Sequence, residues 1–317
     1  MGFRIIKTAI ATVIAVNIAT LLPLQSPMSA GLLAIMGVDV TRRSGLRSVG
    51  TRFLASMLAL LVASLMFVTI GFHLWVLGLF VLVAFPLLNR AGLKSGVITG
   101  SVVVFRVFGL GHVDLSVIIN EIVLLFIGLG TATAVNMAYM PNDTRELQQS
   151  KTRIESYLSE IFAQISRYLN DHTTQWDGKE ILLLEDEAAR GIERAKRMQE
   201  NNLFEGDLYW PAYFLMRQQH IGSVKRMLGY ASQITATLEQ GRLASRLFEE
   251  LSEDVKSDYY TGRVENRLLE LEEAFKSSPL PASREEFEVR SAVLQLCLEL
   301  KHYLSVSKRE KMRKPAT

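Results

Sequence analysis

The sequence predicts an all-α membrane protein, with an N-terminal bundle of about six transmembrane helices followed by a cytoplasmic, antiparallel helical bundle. Long apolar runs fill residues 1–141, whereas residues 142–317 show amphipathic helical periodicity and no sustained strand-like alternation. Charge divides at the same point, because residues 1–141 carry nine Lys and Arg against three Asp and Glu, and residues 142–317 carry 26 against 29. We therefore predict a transmembrane domain over 1–141 and a cytoplasmic helical domain over 142–317.

Six apolar segments of the first domain approach the about 20 residues that a helix needs to cross the bilayer core. The predicted spans are residues 5–22, 24–40, 53–71, 74–88, 95–110 and 117–140. The second span is short and contains Pro27, so it crosses fully only if residues 24–29 contribute. Otherwise we expect a tilted, broken or half-crossing helix there.

Basic residues predict the orientation of these spans. Arg4 and Lys7 precede the first span, four arginines lie between the second and third, and Arg90 and Lys94 lie between the fourth and fifth. The loops that alternate with these contain no Lys or Arg, and basic loops remain in the cytoplasm. We predict a multi-pass membrane protein with both termini in the cytoplasm and an N-terminal span that is not cleaved as a signal peptide.

Small residues recur at every fourth position in three of the spans, a pattern that lets helix backbones approach closely. The stripes are Ala11, Ala15 and Ala19; Ala55, Ala59 and Ala63; and Gly92, Gly96 and Gly100. They predict either a compact bundle or a contact within a homo-oligomer, and the spacing fits both.

The second domain is predicted to be a bundle of four or more amphipathic helices. Asn142 or Asp143 is expected to cap the first helix, with Glu146 at the reciprocal position. Apolar residues then recur at helical spacing: Leu147, Ile154, Leu158, Ile161, Ile165 and Tyr168. Helix breaks are predicted near 176–178, 205–207, Gly241, Gly262 and 279–281, and the basic residues within 308–314 are expected near anionic lipid headgroups.

One helix start in this domain is crowded with aromatic residues: Tyr209, Trp210, Tyr213 and Phe214, followed by Arg217 and His220. Two interpretations are open. The rings pack in a helical core, or they form an aromatic pocket whose guanidinium binds a planar carboxylate.

The sequence lacks the residues that several classes of function require. The sequence contains no P-loop, no GxSxG elbow, no HExxH pair and no cysteine cluster, so we expect no enzyme, no cofactor and no metal site. Cys297 is the sole cysteine, which excludes an intrachain disulfide. The net charge of +3 arises from basic residues in short loops between apolar runs, so we do not expect nucleic-acid binding.

Ionisable and polar residues within or beside the spans are the candidate transport-path or coupling residues. Arg106 and Glu121 are expected to meet in the outer third of the membrane, where Arg106 attracts an anionic substrate and Glu121 pairs with it or relays a proton. A static interfacial ion pair, or an Arg106 that extends to the headgroups, explains the same residues. Asp39 is either a charge at a helix end or a coupling-ion site, and Asn136 either bonds a neighbouring helix or lines the path.

Short stretches of small and apolar residues at both ends of the membrane domain form a further pattern. Residues 6–11 (IKTAIA), Ser26-Pro27 and residues 30–35 (AGLLAI) are followed by Gly128, Val135-Asn136 and Pro141. Together they resemble the aromatic acid exporter family of the fusaric-acid-resistance-like membrane proteins, and the tail after Pro141 is similar to the C-terminal domain of that family. The resemblance covers essentially the whole chain and implies export of aromatic carboxylates in bacteria, driven by an ion gradient.

The leading hypothesis is therefore an inner-membrane exporter of small organic, aromatic acids, whose partners are the lipid bilayer and a small organic anion. The transport path lies within the helix bundle or between subunits. The alternative hypothesis is a membrane-anchored scaffold or sensor whose cytoplasmic helical domain binds partners.

Overall fold

The structure, a computed structural model, describes residues 3–138, 143–202 and 208–311. All regular elements in these ranges are helices, which confirms the predicted all-α class. The chain divides into two compact units, Met1–Pro141 with Glu200–Glu205, and Asn142–Gln199 with Gly206–Thr317. The predicted domain boundary at Pro141, the cap at Asn142, the end of the sixth span at 139–140, the break at 205–207 and the tail beyond Lys311 lie outside the described residues.

The described N-terminal unit contains six α-helices and one 3₁₀ turn. The helices are α1 (Phe3–Leu21), α2 (Met28–Gly37), α3 (Arg42–Ile70), α4 (Leu74–Arg90), α5 (Val97–Leu110) and α6 (Leu115–Ala138), and the turn is Lys94–Gly96. In the described residues, α1, α3 and α6 are long and apolar enough to cross a bilayer, and α2 and α4 are shorter apolar helices. The count of six spans stays a prediction, since α2 has only 10 residues and α5 only 14.

Helix α3 differs most from its predicted span, because it begins at Arg42 rather than at Phe53. Thr41 caps this start, its hydroxyl oxygen accepting the Ser44 N–H at 3.3 Å. Arginine is a good helix former, but it lowers the local hydropathy from which spans are predicted. The basic loop between the second and third spans is therefore largely the first turns of α3.

Close packing of small residues organises the N-terminal unit. Ala11, Ala15 and Ala19 of α1 are all 0% exposed, and α1 packs against α2 and α6. A Cβ atom added at Gly96 would lie 2.3 Å from the Ala55 Cβ, and one added at Gly100 would lie 2.9 Å from the Ala59 Cβ. These residues of the predicted stripes are therefore used within the unit, where they bring helices together.

The C-terminal unit also consists of helices in its described part. They are α7 (Thr144–Asn170), α8 (Lys179–Asn201), α9 (Tyr209–Ala231), α10 (Glu239–Asp254), α11 (Arg263–Ser277) and α12 (Arg284–Lys311). Helix α7 packs on α10, and α9 packs on α12. The predicted apolar face of α7 is confirmed, because its Leu and Ile positions, 147, 154, 158, 161 and 165, are all buried in one core.

Two local predictions for this unit are confirmed only in part. Asp143 is the N-cap of α7 but makes no side-chain cap bond, and Glu146 instead forms an ion pair with Arg194 of α8. The break predicted near Gly241 lies a few residues earlier, between the end of α9 at Ala231 and the start of α10 at Glu239, and Gly241 itself is buried in the first turn of α10. A Cβ added there would be in ordinary contact with the Leu169 carbonyl oxygen at 3.6 Å, so packing does not require a glycine.

Candidate functional site

Arg106 of α5 and Glu121 of α6 meet inside the N-terminal unit. The Arg106 Nη1 atom lies 3.0 Å from Glu121 Oε2, and its Nη2 atom lies 3.0 Å from Oε1. The Glu121 side chain is 0% exposed and that of Arg106 is 18% exposed. An unpaired charge at membrane depth costs about 3 kcal/mol, so this bidentate geometry explains how two ionisable residues are accommodated among apolar helices.

Short connections place this ion pair. Arg106 lies one turn before the end of α5, which Gly111 terminates with a left-handed φ of 72°, and Glu121 lies in the second turn of α6. Because only a few residues join the two helices, their ends are neighbours and the side chains face each other.

Two further polar residues complete the site. The Gln25 carbonyl oxygen, in the connection between α1 and α2, accepts bonds from Arg106 Nη2 at 3.2 Å and from Asn120 Nδ2 at 3.3 Å. The Gln25 N–H donates to Asn120 Oδ1 at 2.8 Å. Ser26 next to it has a φ of 58°, a region that non-glycine residues rarely adopt. We call Gln25, Arg106, Asn120 and Glu121 the Arg106–Glu121 cluster.

Asn136, near the other end of α6, belongs to a second polar group. It is about 22 Å along the helix from Glu121. Its Oδ1 atom accepts a bond from Lys7 Nζ at 3.5 Å, and its Nδ2 atom donates to the Thr41 carbonyl oxygen at 3.4 Å. Lys7 is 3% exposed and Asn136 2% exposed. A Cβ at Gly45 would lie 2.3 Å from Asn136 Nδ2, so only glycine leaves room for this amide.

Asp39 lies in the connection between α2 and α3. Its Oδ2 atom accepts a bond from the Ser44 hydroxyl at 3.0 Å, and its Oδ1 atom accepts the Val40 N–H at 2.8 Å. These bonds hold the start of α3, which favours the helix-end interpretation of Asp39.

The four predicted site residues therefore fall into two places. Arg106 and Glu121 form one cluster, while Asn136 and Asp39 lie near the starts of α1 and α3 and make no bond to that pair.

Sequence reasoning missed Gln25, Asn120 and the buried Lys7. Asn120 directly precedes Glu121 and was the one signal available, since an amide beside a buried carboxylate commonly bonds it. Gln25 acts through its backbone, which no side-chain pattern reveals.

In the C-terminal unit the crowded aromatic residues are core. Trp210, Tyr213 and Phe214 are at most 7% exposed. Arg217 is 1% exposed, its guanidinium carbon lies 5.0 Å from the centre of the Tyr213 ring, and its Nη2 atom donates to Glu155 Oε1 at 3.1 Å. The interpretation of these rings as an aromatic ligand pocket is therefore wrong.

A second charged network in this unit surrounds Glu187 of α8. Its Oε1 atom accepts bonds from the Ser150 hydroxyl at 2.6 Å and from Arg153 at 2.8 Å, and its Oε2 atom accepts one from Arg190 at 3.1 Å. Burial acts to raise the pKa of Glu187, but these bonds lower it to about 2. All the partners lie on α7 and α8, so the network fastens these two helices.

These features define an integral membrane protein in which an apolar helical unit holds a buried, bidentate cation–carboxylate pair and is joined to a second helical unit. Comparison with known proteins identifies the family. Residues 1–140 match "Aromatic acid exporter family member 1", and residues 144–308 match "Putative aromatic acid exporter C-terminal domain". The chain belongs to the aromatic acid exporter family, and membership indicates a membrane exporter rather than an enzyme.

Two individual proteins are also similar. The Bacillus subtilis (strain 168) protein YqjA, described as uncharacterized, is 32% identical over 306 residues, which cover 96% of this chain and 95% of YqjA. A crystal structure of a "putative membrane protein" from Clostridium difficile 630 is 19% identical, with a TM-score of 0.46. The match covers 52% of this chain and 99% of the other.

Proposed function

We propose that this protein is a multi-pass transporter of the bacterial inner membrane that exports small organic, aromatic acids, using an ion gradient. The observation that carries the proposal is the Arg106–Glu121 pair, in which a fully buried carboxylate accepts hydrogen bonds from both Nη atoms of a guanidinium. A guanidinium fork binds any carboxylate in the same bidentate manner. A substrate carboxylate can therefore replace Glu121 on Arg106 without a change in the type of bond.

Partial exposure supports a role for Arg106 in substrate entry. Its side chain is 18% exposed while that of Glu121 is 0% exposed, so an incoming anion meets the guanidinium rather than the carboxylate. Displaced Glu121 then takes up a proton or bonds Asn120, whose Nδ2 atom already lies 3.4 Å from Oε1. An inside-negative potential favours the outward movement of an anion by about 2.3 kcal/mol per 100 mV.

Efflux from proteoliposomes loaded with labelled benzoate tests the proposal. We expect the wild-type protein to release benzoate faster than protein-free vesicles do. Arg106→Gln should slow release at least about tenfold, because a charge-assisted bond contributes about 1.5–3 kcal/mol. Arg106→Lys retains the charge and should still slow release, because it lacks the fork.

The matched control is Arg90→Gln, which removes an exposed positive charge from the last turn of α4 and should leave efflux within about twofold of wild type. The membrane potential and the pH gradient are then collapsed in separate experiments. The gradient whose loss slows efflux identifies the driving ion. Equal release of every aromatic acid tested, with and without protein, contradicts the proposal. The scaffold alternative expects that outcome.

A further inference from the structure

A small pocket lies within the C-terminal unit. It is bounded by α9, α10, α11, α12 and the connection between α10 and α11, and its volume is about 20 Å³. A cavity of this size holds one water molecule or an ion of similar size. Its wall includes Arg217, Tyr303, Ser307 and Lys311, with Asp254 and Glu265 beside them.

Two buried polar atoms in this wall lack hydrogen-bond partners in the described part of the chain. They are the Nε atom of Arg217 and the hydroxyl of Tyr303, on residues that are 1% and 2% exposed. A buried polar group without a partner costs about 1–3 kcal/mol, and native structures contain few of them. The Arg217 Nε–H is a donor and the Tyr303 hydroxyl can donate or accept, so a single acceptor in the cavity would satisfy both atoms.

Among the described residues, Lys311 is the cation of this wall that forms no direct ion pair with a carboxylate. Asp254 is paired with Arg263, and Glu265 with Lys308. Arg217 is paired with Glu155. Lys311 instead donates to a neutral acceptor, the Ser257 carbonyl oxygen. In the described part of the chain, the cavity therefore combines two polar groups without a hydrogen-bond partner with an ammonium group that no carboxylate contacts directly.

We propose that this pocket binds a small monovalent anion of about the size of a water molecule, a halide, through Arg217 Nε–H, the Tyr303 hydroxyl and the Lys311 ammonium. Burial raises the pKa of Tyr303 to about 12, so its hydroxyl keeps the proton that it donates. The site belongs to the C-terminal unit and does not depend on the proposed export activity.

Lys311 gives the site a pH dependence. Burial is the largest cause that lowers the pKa of Lys311 to about 8, and the positive charge of Arg217 is the second. A bound anion raises this pKa again. The charged groups that act on Lys311 are Arg217 on α9, Glu155 and Lys151 on α7, and Asp254 on α10. Since the anion prefers the protonated ammonium, its affinity should be highest below pH 7 and fall as the pH rises through 8.

Calorimetric titration of the full-length protein in detergent micelles tests the site. Sodium chloride and sodium bromide are titrated separately, with ionic strength held by sodium gluconate, whose anion exceeds the cavity. Tyr303→Phe removes a hydroxyl that has no partner, so it should fold normally yet weaken binding about tenfold. Lys311→Gln should weaken binding similarly and abolish its pH dependence between 7 and 9.

Lys301→Gln is the matched control, because Lys301 lies on the same helix but pairs with Glu272 outside the pocket. It should bind as wild type does. Binding must also persist in Arg106→Lys, which separates this site from the Arg106–Glu121 cluster. Saturable binding of either halide that Tyr303→Phe and Lys311→Gln both weaken supports the proposal. An absence of binding, as for a pocket that holds only water, or affinities equal in all variants, overturns it.

Discussion

At the scale of single residues, Arg106 and Glu121 must be judged both as a structural pair and as a transport element. A buried ion pair contributes little net stability, because desolvation offsets the Coulomb attraction. Removal of one partner is different, since it leaves a buried charge without compensation. Stability and transport should therefore separate when one partner or both partners are replaced.

We predict that Arg106→Met alone lowers the unfolding free energy by about 3–5 kcal/mol. The double variant Arg106→Met with Glu121→Leu should recover most of that loss yet remain unable to release benzoate. Thermal unfolding midpoints of the three purified proteins, measured beside efflux, check both statements. A double variant that transports normally would assign the pair a structural role only.

The composition of this cluster was only partly predictable. Arg106 and Glu121 stand out in the sequence because ionisable residues within apolar spans are rare, and their expected depths were similar. Gln25 could not be predicted, since its contribution is a backbone carbonyl in an irregular connection. Lys7 was read as a cytoplasmic flank charge, and its burial against Asn136 depends on how α1 packs beside α6.

At the scale of helices, packing in the N-terminal unit depends on residues with little or no side chain. Gly128 of α6 faces α2 so closely that an added Cβ would lie 2.6 Å from the Leu33 Cβ and 2.7 Å from the Ala30 carbonyl oxygen. The second of these atoms belongs to helix backbone, which cannot move aside as a flexible side chain does. The position therefore requires glycine unless the two helices separate.

We predict that Gly128→Ala destabilises the protein by about 1–3 kcal/mol, the usual cost of overpacking. Gly130→Ala is its control, because it lies two residues further along α6 with no atom within 4 Å of the added Cβ. Alanine should be neutral or slightly stabilising there. Unfolding midpoints of the two variants provide the measurement, and equal midpoints would show that α2 and α6 pack differently.

The same helices show where sequence reasoning succeeds and where it fails. Periodicity located the buried face of α7 correctly, since burial alone sets that pattern. Hydropathy misplaced the start of α3, because four arginines mask a helix that continues through them. The break predicted near Gly241 was placed a few residues too late, because α10 begins at Glu239 and includes this glycine.

At the scale of the whole molecule, the alternation of basic and uncharged loops remains the argument for how the chain threads the membrane. Helix α5 is the critical case, because its 14 residues span about 21 Å, less than the about 30 Å core of a typical bilayer. The preceding turn at Lys94–Gly96 extends it only slightly. If α5 nevertheless crosses, the segments at its two ends must lie on opposite sides.

Two conservative substitutions test this crossing. We predict that in a Cys297→Ala background, which contains no other cysteine, Ser116→Cys reacts with an impermeant maleimide added to intact cells. Ser95→Cys should react only after the membrane is opened. Both serines are exposed and lie in the segments that flank α5. The basic residues Arg90 and Lys94 near Ser95 predict that it lies on the cytoplasmic side.

Labelling of both positions from one side would show that α5 does not cross. The predicted alternation of loops would then be wrong, and α5 would be a re-entrant or surface helix rather than a span.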